Sequence, residues 1–198
     1  MAGVDEVGRG SLFGPVVAAA VILDPDRRIR GLNDSKQLDP DERERLALKI
    51  RQTALAISVA AVDAARIDQI NIYQASRLAM RRAVENLPAP ADYLLIDALR
   101  IDLPLPQQPL IHGDARCMSI AAASILAKVE RDRWMQLWDP IFPGYHLRGH
   151  KGYCTPEHLE ALNRDGPCPL HRRSFAPVAE RSLYPDDHPP ENLELFPE

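Results

Sequence analysis

The sequence predicts an α/β fold: a mixed central sheet flanked by helices, with a small helical part toward the C-terminus. Two segments near the start read as strands, and the strand-like segments after them alternate with helical ones. No internal repeat interrupts that order. The 198 residues suffice for one domain with a substantial core. That domain is expected over 1–183, with a flexible acidic tail over 184–198.

Gly3 to Val7 reads as a strand that ends in the turn Gly8-Arg9-Gly10. Pro15 and the run Val16 to Leu23 give a second, largely buried strand, closed by Asp24-Pro25-Asp26. Pro40 and Asp41 open an amphipathic helix to about Ala54, with Leu46, Leu48 and Ile50 partly inward. Ala56 to Ala61 returns as a strand. Ile67 to Leu87 keeps helical spacing through Ile70, Tyr73, Met80, Ala83, Val84 and Leu87 until Pro88 and Pro90 stop it. Tyr93 to Asp97 is an apolar strand ending in a carboxylate. A proline-rich loop and the piece Leu110-Ile111 follow. Arg116 to Trp138 reads as one helix whose Ala121-Ala122-Ala123 lets it lie close against a sheet. Glu157 to Leu162 adds a last helical piece.

Composition, 45% hydrophobic and 26% charged, is ordinary for a globular enzyme. The longest apolar run falls far short of the roughly 20 residues a membrane span needs. Asp5 and Glu6 stand where a signal peptide carries basic residues. Cys117, Cys154 and Cys168 are odd in number and lack zinc-knuckle spacing. A cytoplasmic monomer with no membrane association is expected. The formal net charge of -4 argues against a polyanionic partner at first sight. Part of it, however, sits in the tail after Tyr184, and Arg27, Arg28, Arg30 and Lys36, then Arg148, Lys151, Arg164, Arg172 and Arg173, cluster separately.

Four carboxylates stand at ends of elements: Asp5 and Glu6 beside the glycine turn, Asp97 at the end of its strand, and Asp114 at a helix start. Such groups suit hard divalent cations, and two cations about 4 Å apart can hydrolyse a phosphodiester. Each also has an ordinary reading. Asp114 fits a helix N-cap and Asp97 a turn. Adjacent Asp5 and Glu6 point to opposite faces of a regular strand, so they share a site only where that strand ends or bulges.

The surroundings of these residues resemble bacterial ribonuclease HII. The similarity covers Gly3-Val4-Asp5-Glu6-Val7-Gly8-Arg9-Gly10, Gly14 to Leu23, Asn33-Asp34-Ser35-Lys36-Gln37-Leu38, and Leu95-Ile96-Asp97. It continues through Gly113-Asp114-Ala115-Arg116, Ser119 to Lys128, Gly149-His150-Lys151-Gly152-Tyr153, Thr155, His158 and His171-Arg172-Arg173-Ser174-Phe175. The motifs run in family order to about Pro177.

The resemblance implies a ribonuclease H-like fold. It also implies cleavage of the RNA strand of RNA–DNA hybrids and incision at single ribonucleotides in duplex DNA, as in ribonucleotide excision repair, leaving 3′-hydroxyl and 5′-phosphate ends. It puts Asp5, Glu6, Asp97 and Asp114 at the acidic positions, with Mg²⁺ or Mn²⁺ as cofactor. Gly8, Arg9, Gly10, Lys36 and Tyr153 become substrate contacts, the tyrosine stacking on a neighbouring sugar; by itself, Tyr153 reads as a core aromatic. Ser11, Phe13, Cys117 and Cys154 depart from the usual family pattern.

Two weaker patterns fail. Gly8-x-Gly10 mimics a dinucleotide fingerprint, but a strand follows it instead of a helix. Gly144 to Gly149 mimics a phosphate loop, but His150 stands where lysine is required. Ribonuclease HIII differs in its turn and carries an N-terminal domain for which Asp5 leaves no room. A non-cleaving hybrid-binding module is the remaining rival, disfavoured by the intact acidic positions. In the tail, Asn192-Leu193-Glu194-Leu195-Phe196 resembles the peptide by which replication and repair proteins bind a sliding clamp, with Leu193, Leu195 and Phe196 as anchors.

Overall fold

The computed structural model describes residues 1–33 and 35–181. The expected boundary at 183/184 and the peptide 192–196 lie outside them. The sheet has five strands in the order β3-β2-β1-β4-β5: β1 (Ala2–Val7), β2 (Val16–Ile22), β3 (Ala56–Val62), β4 (Leu94–Asp97) and β5 (Gln107–Leu110). β1, β2 and β3 pair antiparallel, while β1–β4 and β4–β5 are parallel, so the sheet is mixed as expected.

The strand period of two decides which helix each residue meets. Ala2 and Val4 of β1, Val16, Ala18 and Ala20 of β2, and Leu94 and Ile96 of β4 share one apolar cluster with α2 (Ala64–Glu85). The alternate residues Val17, Ala19 and Val21 share the other with α1 (Pro40–Thr53) and α4 (Met118–Trp138). β2 is buried along its whole length because helices cover both faces. The smaller α5 (Leu147–His150), α6 (Pro156–Asp165) and α7 (Ala176–Ala179) complete the C-terminal part.

Caps fix the helix starts. Asp39 Oδ1 accepts from Glu42 N at 2.8 Å before α1, and Asp63 Oδ1 accepts from Arg66 N at 2.7 Å before α2. Three expectations are corrected. Leu48 and Tyr73 face solvent, at 58% and 46% exposure, because the apolar stripes of their helices run through other positions. Helix α2 is broken at Asn71, whose φ is 65° and whose Oδ1 caps Gln74 N at 3.1 Å. The helix expected over 116–138 starts two residues later, as α4, and a separate short helix, α3 (Gly113–Arg116), precedes it across extended Cys117. Asp114 therefore does not cap the long helix. It sits inside α3 with Oδ1 accepting from Ala115 N at 2.9 Å.

Candidate metal and nucleic-acid site

Parallel pairing of β1 with β4 brings two carboxylates together. Val4 pairs with Ile96. Asp5 and Asp97, one residue further along each strand, have the same parity and face the α4 side. Glu6 has the opposite parity. The strand runs out at Val7 and turns at Gly8, with φ 88°, so both neighbours reach one cavity. That cavity holds about 550 Å³ and is lined by Asp5, Glu6, Asp97, the turn Gly8-Arg9-Gly10, Ser35, Lys36, Ser124, Lys128 and Tyr153. Asp114 is buried beside it without lining it. Its Oδ2 stands 4.0 Å from Lys36 Nζ, and the amide of preceding Gly113 donates to Asp97 Oδ1 at 2.7 Å.

The electrostatics are those of negative charge held away from water. Burial, then repulsion from Glu6 and Asp97, raises the Asp5 pKa well above the usual carboxylate range. Hydrogen bonds from Ser124 and the Glu6 amide oppose this. Burial also raises Glu6, with Arg9 pulling it down and Asp97 pushing it up. Arg9 reaches Glu6 Oε1 at 3.3 Å, while the buried Oε2 has no hydrogen-bond partner among the described residues. Among the described residues, no three His, Cys, Asp or Glu side chains stand close enough to cage an ion as they are. Even so, hard oxygen donors, unrelieved buried charge and an orphaned carboxylate oxygen all fit a divalent cation held between Asp5, Glu6 and Asp97.

Three segments meet behind the Gly8-Arg9-Gly10 turn and Tyr153. Ser11 bridges to Tyr153 and Phe13 to His171, joining the loop after β1 to residues 150–153 and 170–172. Two buried arginines lock the junction. Arg131 donates to Ser11 Oγ at 2.6 Å, Phe13 O at 2.9 Å, Pro15 O at 3.2 Å and Lys151 O at 2.8 Å. Arg172 donates to Gly14 O and to Arg9 O, both at 2.9 Å. In a trans peptide the N–H opposes the C=O. Drawing the Arg9 carbonyl inward therefore aims the Gly10 amide outward. The Tyr153 ring lies over Arg131 and Lys128, 5.4 and 5.8 Å from its centroid.

Sequence reasoning missed Ser124, Lys128, Arg131 and Arg172 as contributors to the site. Ser124, Lys128 and Arg131 stand at i, i+4 and i+7, which is one face of a helix, and that spacing was the available signal. The departures from the family pattern also have places here. Ser11 is a partner of Arg131, and Phe13 packs edge-on against His171 with centroids 5.0 Å apart. Cys117 forms the break before α4, and Cys154 is exposed.

The two glycines of the turn are glycines for different reasons. A Cβ on Gly8 would meet Arg131 Nε at 2.3 Å, whereas one on Gly10 meets nothing within 4 Å. Gly10→Ala is therefore expected to leave the unfolding free energy from urea melts within about 0.5 kcal/mol of wild type, as for other surface changes. Yet it should lower kcat/KM about tenfold or more by blocking close approach of a ligand backbone. Gly8→Ala should cost about 2 kcal/mol of stability. Equal stability losses in both variants would contradict this division.

Similarity to known proteins runs over most of the chain. The family model described as Ribonuclease HII matches residues 2–178. Ribonuclease HII of Solibacter usitatus (strain Ellin6076) is 61% identical over 196 residues, 99% of this chain and 86% of that protein. The Geobacillus kaustophilus (strain HTA426) protein of the same name is 56% identical over 180 residues, 91% of this chain and 69% of its own length. Ribonuclease H2 from Pyrococcus horikoshii OT3 superposes with a TM-score of 0.77 at 26% identity, covering 91% of this chain and 95% of that one. A chain of the PCNA:RNase HII complex from Archaeoglobus fulgidus gives 0.76 at 25%, covering 94% and 98%. Bst-RNase HIII in complex with Mn²⁺ shares the fold, with 0.71 at 24% over 91% of this chain and 68% of that one.

Proposed function

The chain belongs to the ribonuclease HII family, metal-dependent endonucleases that act on the RNA of RNA–DNA hybrids, and from that membership we infer that it also incises duplex DNA 5′ to a single ribonucleotide. The products are a 3′-hydroxyl and a 5′-phosphate. The observation carrying this reading is one cavity that joins Asp5, Glu6 and Asp97 to the Gly8-Arg9-Gly10 turn, Lys36 and Tyr153.

Asp5, Glu6, Asp97 and Asp114 are assigned as ligands of two Mg²⁺ or Mn²⁺ ions, which when bound would activate water and relieve charge on the scissile phosphate. The Ser124 hydroxyl and the Gly113 amide hold Asp5 and Asp97 in place. Lys36 and Arg9 take backbone phosphates. The outward Gly10 amide can meet a 2′-hydroxyl, the group that distinguishes RNA from DNA. Tyr153 stacks on the adjoining sugar. The same reading has a monomer acting in the cytoplasm; no helix among the described residues is long and apolar enough to cross a membrane.

The test is an end-labelled duplex carrying one ribonucleotide, incubated with Mg²⁺, with Mn²⁺ and with a chelator, for wild type and Asp97→Asn. Metal-dependent incision 5′ to the ribonucleotide, nearly absent in the variant, is expected. Cleavage of hybrids with no incision of this duplex would refute the finer reading.

We further propose that residues 192–196, with Leu193, Leu195 and Phe196 as anchors, bind a sliding clamp. The Archaeoglobus fulgidus structure pairs its RNase HII with PCNA, and residues 192–196 of this chain resemble the short peptide by which bacterial replication and repair proteins bind a clamp. Removing residues 190–198 should abolish co-elution with a bacterial clamp and leave incision of naked duplex unchanged. Loss of intrinsic activity in the shortened chain would make those residues structural instead.

A further inference from the structure

Behind Tyr153 lies a group of three histidines that takes no part in the chemistry above. His158 Nε2 is 3.0 Å from His171 Nε2, and His158 Nδ1 is 2.9 Å from Tyr153 O. His171 Nδ1 accepts the Cys168 amide at 3.0 Å. His150 stacks on His158 with centroids 4.4 Å apart and planes at 13°. Its Nδ1 accepts the Gly152 amide at 3.1 Å and its Nε2 meets Tyr145 O at 2.7 Å. His158 is completely buried and His171 nearly so.

The two ends of this chain permit one proton arrangement. An amide N–H only donates, so His171 Nδ1 is bare and its proton sits on Nε2. That proton points at His158 Nε2, which must accept, leaving the His158 proton on Nδ1. A carbonyl only accepts, and Nδ1–H donates to Tyr153 O. By the same logic His150 carries its proton on Nε2. A second proton on either His158 or His171 would set two N–H groups facing each other across 3.0 Å. Burial accordingly lowers their pKa values, to about 4 for His158 and about 3 for His171.

The Tyr153 backbone is thus held from three sides. Its carbonyl takes His158 Nδ1–H and the Thr155 amide, and its own amide donates to His150 O. His158 also ties the start of α6, its amide donating to Thr155 Oγ1 at 3.2 Å. We propose that His158 and His171 are positioning residues: a neutral relay of fixed direction, running from the Cys168 amide to the Tyr153 carbonyl, sets where the Tyr153 ring stands relative to the acidic cluster. The proposal rests on the reading of Tyr153 as a sugar contact. Discrimination of the nucleotide beside the cut is then governed by residues that never touch it.

The test uses the full chain. Long-range ¹H–¹⁵N correlation of labelled histidines should show protons on Nε2 of His171 and His150 and on Nδ1 of His158. An Nε2-protonated His158 overturns the relay. In incision assays on the single-ribonucleotide duplex, His158→Leu should lower kcat/KM about tenfold or more, as misplacement of a contact group does. His158→Asn, whose Nδ2 hangs from the same carbon position as His Nδ1, should restore most of the loss. In a Tyr153→Ala background, His158→Leu should cost nothing further. An equal loss in that background, or no rescue by Asn, overturns the positioning role. If Tyr153→Ala alone leaves incision unchanged while the histidine protons sit as expected, the assignment of Tyr153 fails and the positioning role with it, while the relay stands as scaffolding. Should the Leu variant not fold, the proton positions and the Asn variant decide.

Discussion

Asp5→Asn is expected to lower kcat about a thousandfold at saturating divalent cation while making the metal-free protein harder to unfold. The first half follows from the charge at stake. Cation-assisted stabilisation of a phosphoryl transition state contributes several kcal/mol, and about 4 kcal/mol is a factor of a thousand. The second half follows from the surroundings. Asp5 is buried beside Glu6 and Asp97, and its charged form is disfavoured by all three influences. Asparagine has the same shape and still accepts from the Glu6 amide, which reaches Asp5 Oδ1 at 2.7 Å, so the substitution removes repulsion without opening a hole. The gain should be on the order of 1 kcal/mol, as when a strained functional site is relaxed. Urea melts in chelator, paired with melts in Mg²⁺ or Mn²⁺, check it. Wild type should gain stability from the cation by mass action and the variant far less. A variant that melts below wild type in chelator would make Asp5 a structural partner instead of a strained ligand.

Gly3→Ala should be among the most damaging single changes in the chain, although it adds one methyl group outside the lining of the cavity. A Cβ at Gly3 would lie 2.1 Å from the carbonyl carbon of Ser119, 2.4 Å from its oxygen and 2.4 Å from the amide nitrogen of Ile120. All three are backbone atoms, so no rotamer change relieves the clash. Helix α4 would have to withdraw from the sheet by on the order of 1 Å, which a close-packed interior resists. The cost should reach about 3 kcal/mol, the upper part of the range for overpacking. Ser124, Lys128 and Arg131 ride on the same helix, so activity should fall together with stability. An unfolding free energy from urea melts within about 1 kcal/mol of wild type would show that α4 can move off β1 freely.

The contrast between those two residues shows what was legible in the sequence. Strands β1 to β4 announce themselves by apolar runs, and α1 and α2 by spacing and proline stops, because local periodicity reports which face is buried. The carboxylates were singled out by the motifs around them, since each alone has an ordinary reading as a cap or a turn. Ala121 to Ala123 signalled close approach of α4 to the sheet, but the tightest contact lies at Gly3, against the first turn of that helix. The break at Cys117 and the kink at Asn71 were not visible, since helical propensity continues across both. Arg131 and Arg172 were the hardest to foresee. Fully buried arginine is rare, and here most of its partners are carbonyls of the loop after β1, more than a hundred residues away.

Those two guanidiniums also bear on how an acidic protein holds a polyanion. Neither is paired with a carboxylate among the described residues, and both lie fully inside the protein directly under the loop that faces the cavity. Burial lowers Arg172 to about 9, which still leaves it cationic at neutral pH. Added electrolyte screens exposed Arg9 and Lys36 but reaches interior charge much less. The steepness with which affinity falls as ionic strength rises should then count only the surface contacts. Beneath it remains a permanent positive floor, built into the interior, that counterions cannot wash out.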